Sequence, residues 1–148
     1  MAITAEQKSK MIHQFIDASP FSRALEMTLE ELGDGVATIS MPYSEALIGD
    51  PQTKVIHGGA VSALMDTCGG AAVMCYGDVI MPTATLDLRI DYMRPATPGQ
   101  RITAQATCYH MTRSVAFVRA SAWDEDEARP VASAAGAFTI ERPKEASS

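Results

Sequence analysis

Cysteine is scarce and unpatterned in this chain of 148 residues: Cys68, Cys75 and Cys108 form no C-x-x-C pair, and their odd number leaves one unpaired in any scheme. That argues for reduced, buried thiols. The three histidines, His13, His57 and His110, lie scattered with no ligand spacing among themselves or with the cysteines, so no metal site is expected. Basic residues are also short, with 12 Lys and Arg against 18 Asp and Glu, a net charge of −6 and a pI near 4.9. A nucleic-acid partner is thereby excluded, since it would need a clustered basic excess. No apolar run approaches the ~18 residues of a membrane span, and Glu6, Lys8 and Lys10 interrupt the region where a signal peptide would keep its apolar core. A cytoplasmic protein without a membrane partner is the expectation.

What is present is 47% apolar content, enough for one domain over residues 1–148 with a single core; the tail 141–148 is expected to be disordered. Thr4-Ala5-Glu6-Gln7 has capping-box spacing, and Met11, Ile12, Phe15 and Ile16 recur as on one helix face, ending at Ser19-Pro20. From Ser22 the period drops to two through Leu25, Met27 and Leu29, and Gly33-Asp34-Gly35 turns the chain into Val36–Met41. An irregular stretch around Gly49-Asp50-Pro51 leads to His57-Gly58-Gly59 and a helix that is apolar or small on nearly every side between Ala60 and Met74. Protein is expected to wrap it all round. Gly69, Gly70, Ala71 and Ala72 would let helix and sheet approach closely. Thr85–Tyr92 alternates leucines and isoleucine with polar residues, and strands over 101–109, 113–123 and 130–140 follow across short turns. This order, α+β with about six strands, favours an antiparallel sheet curled around the long central helix, with a short helix in front.

Asp66 is the one charge on that helix. Burying a carboxylate without a partner is costly, and a functional site is the usual reason to accept it; the alternative is a structural Asp held by strand amides or a distant arginine. Gly58 stands at the helix N-terminus, where free amides and the positive dipole end could hold an oxyanion; the alternative is that Gly58-Gly59 serves only the chain's entry into the helix. His57 reads as a capping and positioning residue. Cys68 has no histidine near it in sequence to form a nucleophile pair and reads as core.

The segments His57-Gly58-Gly59-Ala60-Val61-Ser62-Ala63-Leu64-Met65-Asp66 and Thr85-Leu86-Asp87-Leu88-Arg89-Ile90-Asp91-Tyr92-Met93-Arg94-Pro95-Ala96 resemble the hotdog-fold thioesterases, most of all the phenylacetate-pathway and hydroxybenzoyl-CoA type. The likeness covers about residues 20–140, because the order of elements agrees as well as the motifs do. It implies hydrolysis of an acyl-CoA, with CoA part of the substrate and no cofactor. The amide of Gly58 would polarise the thioester carbonyl, Asp66 would act as general base or nucleophile, and Thr85 would orient the attacking water. Without the resemblance, Thr85 reads equally well as a residue of β-propensity. Where many relatives carry Asn or Gln six residues before the His, this chain has Pro51, so that role falls equally to Asp50 or Gln52, with Gly59 beside the thioester. Arg89, Arg94, Arg113 and Arg119 are candidates for the CoA phosphates, Arg113 first. The resemblance also implies a homo-oligomer, a dimer or dimer of dimers. Gly58 and Asp66 are eight residues apart, ~12 Å along one helix, too far to flank one carbon, which favours composite sites built from two chains. Two rival readings are an acyl-thioester hydratase or dehydratase, faintly suggested by Gly49-Asp50-Pro51 and His57, and a non-catalytic acyl-CoA binding module.

Overall fold

The computed structural model describes residues 2–142 and 144. Its first helix, α1 (Ala5–Ala18), opens on the expected capping box: the Thr4 hydroxyl accepts from the Gln7 amide at 3.1 Å and the Gln7 side chain accepts from the Thr4 amide at 2.9 Å. Only Ile12 and Ile16 of the expected apolar face are buried, while Met11 and Phe15 stay exposed. The strand expected from Ser22 is displaced by a second short helix, α2 (Pro20–Ala24). Ser19 ends α1 and also caps α2, and Pro20 sits where a helix tolerates its missing N–H. The first strand therefore starts later, as β1 (Thr28–Gly33), and Asp34-Gly35 with Gly35 at φ 70° turns it into β2 (Val36–Met41). A 3-10 turn (Glu45–Leu47) leads to the central helix α3 (Gly58–Met74). The strands β3 (Thr85–Tyr92), β4 (Ile102–Met111), β5 (Val115–Trp123) and β6 (Ala132–Thr139) follow.

All six strands form one antiparallel sheet in the order β1-β2-β4-β5-β6-β3, so β1 and β3 are its edges. His110, expected in a connection, lies within β4, where a register shift between Cys108 and His110 lengthens the strand. The face toward α3 is cut low along a row of directly opposed alanines, Ala37, Ala106, Ala120 and Ala134, on β2, β4, β5 and β6. Short side chains there let the helix sink until the Cys68 thiol donates to the carbonyls of Ala37 at 3.1 Å and Ala104 at 3.4 Å. Gly69 serves the same close packing, since a Cβ there would lie 2.8 Å from the Phe138 ring. Gly70 does not: a Cβ there would meet nothing within 4 Å. Nor is α3 wrapped all round. Ser62, Ala63, Asp66, Thr67 and Gly70 are only half-buried and, with exposed Gly59, form a stripe at three- and four-residue spacing on the side the sheet leaves open.

The edge strand β3 carries a bulge. Thr85 pairs with Phe138 and Asp87 with Ala137, so Leu86 is an extra residue, 59% exposed. Opposite it the β6 backbone comes so close that a Cβ on Gly136 would lie 2.4 Å from the Asp87 carbonyl oxygen. Past β3, Arg94 and Asp124 form a largely buried pair, their side chains 17% and 1% exposed. The Asp124 carboxylate accepts from both Arg94 terminal nitrogens at 2.7 and 2.8 Å, from the Thr97 amide and hydroxyl, and from the Asp126 amide. This knot ties the β3–β4 connection to the end of β5. Glu141 and Arg142 remain hydrogen-bonded to Pro82 and Arg113, while most of the expected disordered tail lies outside the described residues.

Two outcomes are expected. Gly136→Ala should cost about 1–3 kcal/mol, the usual range for overpacking, and shift the urea midpoint accordingly, because the contact is with backbone that cannot move without breaking the β3–β6 ladder. The Arg94 guanidinium, assisted by the Asp126 amide and by Thr97, holds the Asp124 carboxyl far below the usual carboxylate range against the opposing effect of burial. A depressed folded-state value means that this stabilisation is present above the unfolded carboxylate pKa of about 3.9 and is lost as pH falls below it. Asp124→Asn should therefore cost about 3 kcal/mol at pH 7, as breaking a buried pair does. Urea titrations should show that difference shrinking as the pH is taken below the unfolded carboxylate pKa; an equal difference at every pH would show that the charge is not what Asp124 contributes.

Candidate active site

The bulge in β3 decides the site. Strict alternation from Leu88 and Ile90 would put Thr85 on the outer face with Asp87, Arg89 and Asp91. The extra residue reverses that: Thr85 lies opposite buried Phe138 and so faces the helix, where its hydroxyl donates to Asp66 Oδ1 at 2.6 Å. The sequence carried one signal of this, an isolated glycine at 136 inside a strand of alanines.

Asp66 sits on the open stripe of α3 and is half-buried, which corrects the expectation of a fully enclosed carboxylate. Thr85 and access to solvent together remove the cost of an unpaired buried charge. No Lys or Arg pairs with it among the described residues, and no hydrogen bond there takes up Oδ2. One oxygen is thus anchored while the other is free to accept a proton. Thr85 spends its only proton on Asp66, so toward a water molecule it can accept but not donate. Asp66 and Thr85 share a cavity of about 190 Å³ with Phe15, Phe21, Gly70 and Met74.

The head of α3 is fixed separately. His57 caps it, its Nδ1 accepting from the Gly59 amide at 2.8 Å, which assigns the ring proton to Nε2. Gly59 permits this, because a Cβ there would lie 2.9 Å from Nδ1. The Gly58 carbonyl accepts from the Tyr92 hydroxyl at 2.9 Å and from the Ser62 hydroxyl at 3.2 Å, and the two hydroxyls also contact each other. Tyr92, not singled out from the sequence, covers Gly58 so closely that a Cβ there would lie 3.2 Å from its ring. The Gly58 amide has no acceptor among the described residues and remains a free donor at the positive end of the helix. Gly58 lines a second cavity, of about 460 Å³, with Val55, Ile56, Val61, Tyr92 and Met93. Within one chain, therefore, the free amide and the carboxylate open into different cavities.

The other sequence candidates lie apart. Asp50 is exposed in its own turn, with its carboxyl lowered chiefly by the Thr53 hydroxyl and then by the Gln52 amide; neither Asp50 nor Gln52 lines either cavity. Arg94 is committed to Asp124, and Arg119 stacks over Tyr109 at 4.3 Å. Arg89 pairs with Asp91 at 3.2 Å on the outer face. Arg113 is exposed, with no side-chain partner among the described residues. Cys68 is core as expected, its thiol pushed up to about 12 by burial. Among the described residues no three His, Cys, Asp or Glu side chains group so as to hold a metal ion, and no helix is long and apolar enough to cross a membrane.

Comparison with known proteins agrees with this architecture. The family model of the thioesterase superfamily matches residues 53–131, a span that runs from the loop before α3 to the residue before β6 and includes His57, Gly58, Asp66 and Thr85. The medium/long-chain acyl-CoA thioesterase YigI of Escherichia coli is 27% identical, across 93% of this chain and 97% of its own. A Pseudomonas aeruginosa crystal structure is 38% identical with a TM-score of 0.80, covering 89% of this chain and 98% of its own. The Escherichia coli PaaI protein of the phenylacetic acid degradation operon, 19% identical, shares the fold at a TM-score of 0.83, over 93% of this chain and 96% of its own.

Proposed function

The chain belongs to the thioesterase superfamily with the hotdog fold, and we propose that it hydrolyses an acyl-CoA to the free acid and CoA, using Asp66 as the base. The Thr85–Asp66 hydrogen bond at 2.6 Å carries this reading, because it holds a carboxylate, with one oxygen unengaged, at the mouth of a cavity. Asp66 Oδ2 takes a proton from water as the water oxygen attacks the thioester carbon. The carbonyl oxygen becomes an oxyanion held by the Gly58 amide. On collapse the carbon–sulfur bond breaks, and the departing thiolate takes the proton back from Asp66. Thr85 positions the carboxylate, and His57, by capping the Gly59 amide, fixes the helix start that carries the Gly58 amide. The acyl-CoA substrate is supported by the named activity of the Escherichia coli relative, and Arg113 has an uncommitted guanidinium for a CoA phosphate.

We propose further that the working form is at least a dimer with composite sites. Eight residues of helix put Gly58 and Asp66 ~12 Å apart, and near-attack geometry needs both within about 3.5 Å of their atoms. A two-fold axis setting two copies of α3 antiparallel along their open stripes would bring Gly58 of one opposite Asp66 of the other. The exposed edge strand β3 would be covered by the same pairing. Three unpaired, buried thiols suit a reducing cytoplasm.

Release of free thiol from acyl-CoAs tests the chemistry. Asp66→Asn should lower kcat at least ~100-fold in a folded protein, and Thr85→Val, which keeps shape and loses only the hydroxyl, should be milder. Near wild-type turnover by Asp66→Asn would end the assignment. Composite sites are tested by dissociating and remixing Asp66→Asn with His57→Ala, provided the latter is itself inactive. Mixed dimers carry one intact site, so random mixing should restore roughly a quarter of wild-type activity. No recovery, with mixed dimers confirmed by mass, would place the site within one chain.

A further inference from the structure

Gly70 is costly and has no reason within its own chain. A glycine inside a helix is destabilising against alanine, and here a Cβ would meet nothing within 4 Å. Its neighbour Gly69 is required by the Phe138 ring, but Gly70 is required by nothing it touches. The space that its missing side chain leaves belongs to the cavity holding Asp66 and Thr85. That cavity's floor follows one face of α3 from Asp66 past Gly70 to Met74, ~12 Å of helix. Its walls include two rings that the fold leaves in water, Phe15 at 55% and Phe21 at 60% exposure. Ile12 and Ile16 anchor α1, and Phe15 lies off that buried face, so its ring is not what holds α1 down.

We propose that this trough receives the acyl chain: the chain leaves the thioester carbon at Asp66, crosses Gly70 and ends against Met74 beneath Phe15 and Phe21. Gly70 keeps the trough open, Met74 closes its far end, and the two rings exclude water from the chain. The rings and Met74 suit an apolar acyl group, and these four residues set the length it accepts. The proposal rests on the hydrolytic reading above and adds the direction of the acyl group and the residues that measure it.

The test is thiol release from acetyl-, butanoyl-, octanoyl-, dodecanoyl- and palmitoyl-CoA by wild type, Gly70→Ala, Gly70→Leu and the double variant F15A/F21A. Gly70→Ala should raise Tm by about 3 °C, showing that the glycine is not kept for folding. Gly70→Leu should lower kcat/KM for dodecanoyl-CoA by at least ~10-fold, while butanoyl-CoA changes less than about 3-fold. Opening the roof with F15A/F21A should likewise cost the long chains at least ~10-fold and spare the short ones, because the chain then stays in water. An equal fall for every acyl length at unchanged mass would overturn the proposal, since the trough would then hold the pantetheine arm. So would an unaltered profile, or loss of the oligomer in Gly70→Ala, which would assign the glycine to contact between copies. A wild-type protein that releases thiol from none of these substrates would instead remove the hydrolytic reading itself, a result distinct from an altered length profile.

Discussion

The structure depends on how deeply α3 can sit in its sheet. A helix with almost no polar side chains gains stability only when its surface leaves water, and the sheet must come close to cover it. Opposed alanines across β2, β4, β5 and β6 provide that approach, and Gly69 completes it against Phe138. A curled sheet of six strands still covers only part of the cylinder. What remains is the stripe through Ser62, Ala63, Asp66, Thr67 and Gly70, with the Gly58 amide free at its head.

The edge strand β3 supplies the second half of the site at a visible cost. An extra residue in the strand leaves Leu86 in solvent and demands a glycine opposite, yet it turns Thr85 from the outer face to the helix. The same strand ends in Tyr92, whose hydroxyl holds the Gly58 carbonyl. One strand thus reaches both groups, the carboxylate directly through Thr85 and the free amide indirectly through the Gly58 carbonyl that Tyr92 holds. Just beyond it, the Arg94–Asp124 pair fixes where the strand leaves the sheet. Arg94, which the sequence offered as a phosphate ligand, is there to satisfy a buried carboxylate.

By itself, the sequence determined a good deal. The alternation of Thr85–Tyr92 fixed a strand that the structure reproduces residue for residue, and the small, apolar run after His57-Gly58-Gly59 fixed the central helix. Asp66 stood out because a lone carboxylate on such a helix is expensive, and Gly58 because a helix start leaves amides free. These signals are local, set by periodicity, capping chemistry and the cost of burial, so a linear chain displays them. The failures were tertiary. Ser19-Pro20 could end one helix or begin another, and only packing decided that it does both, moving β1 from Ser22 to Thr28. Only the resemblance placed Thr85 at the site; alternation by itself could not, because a bulge is a relation between two strands, and Gly136 is fifty-one positions from the residue it re-aims. The enclosure of α3 was overestimated for a similar reason: hydropathy records that a surface avoids water, while how much of it a sheet can cover is a matter of geometry. Whether Gly58 and Asp66 can act on one carbon is likewise decided by the rise of the helix between them, which no residue on its own encodes.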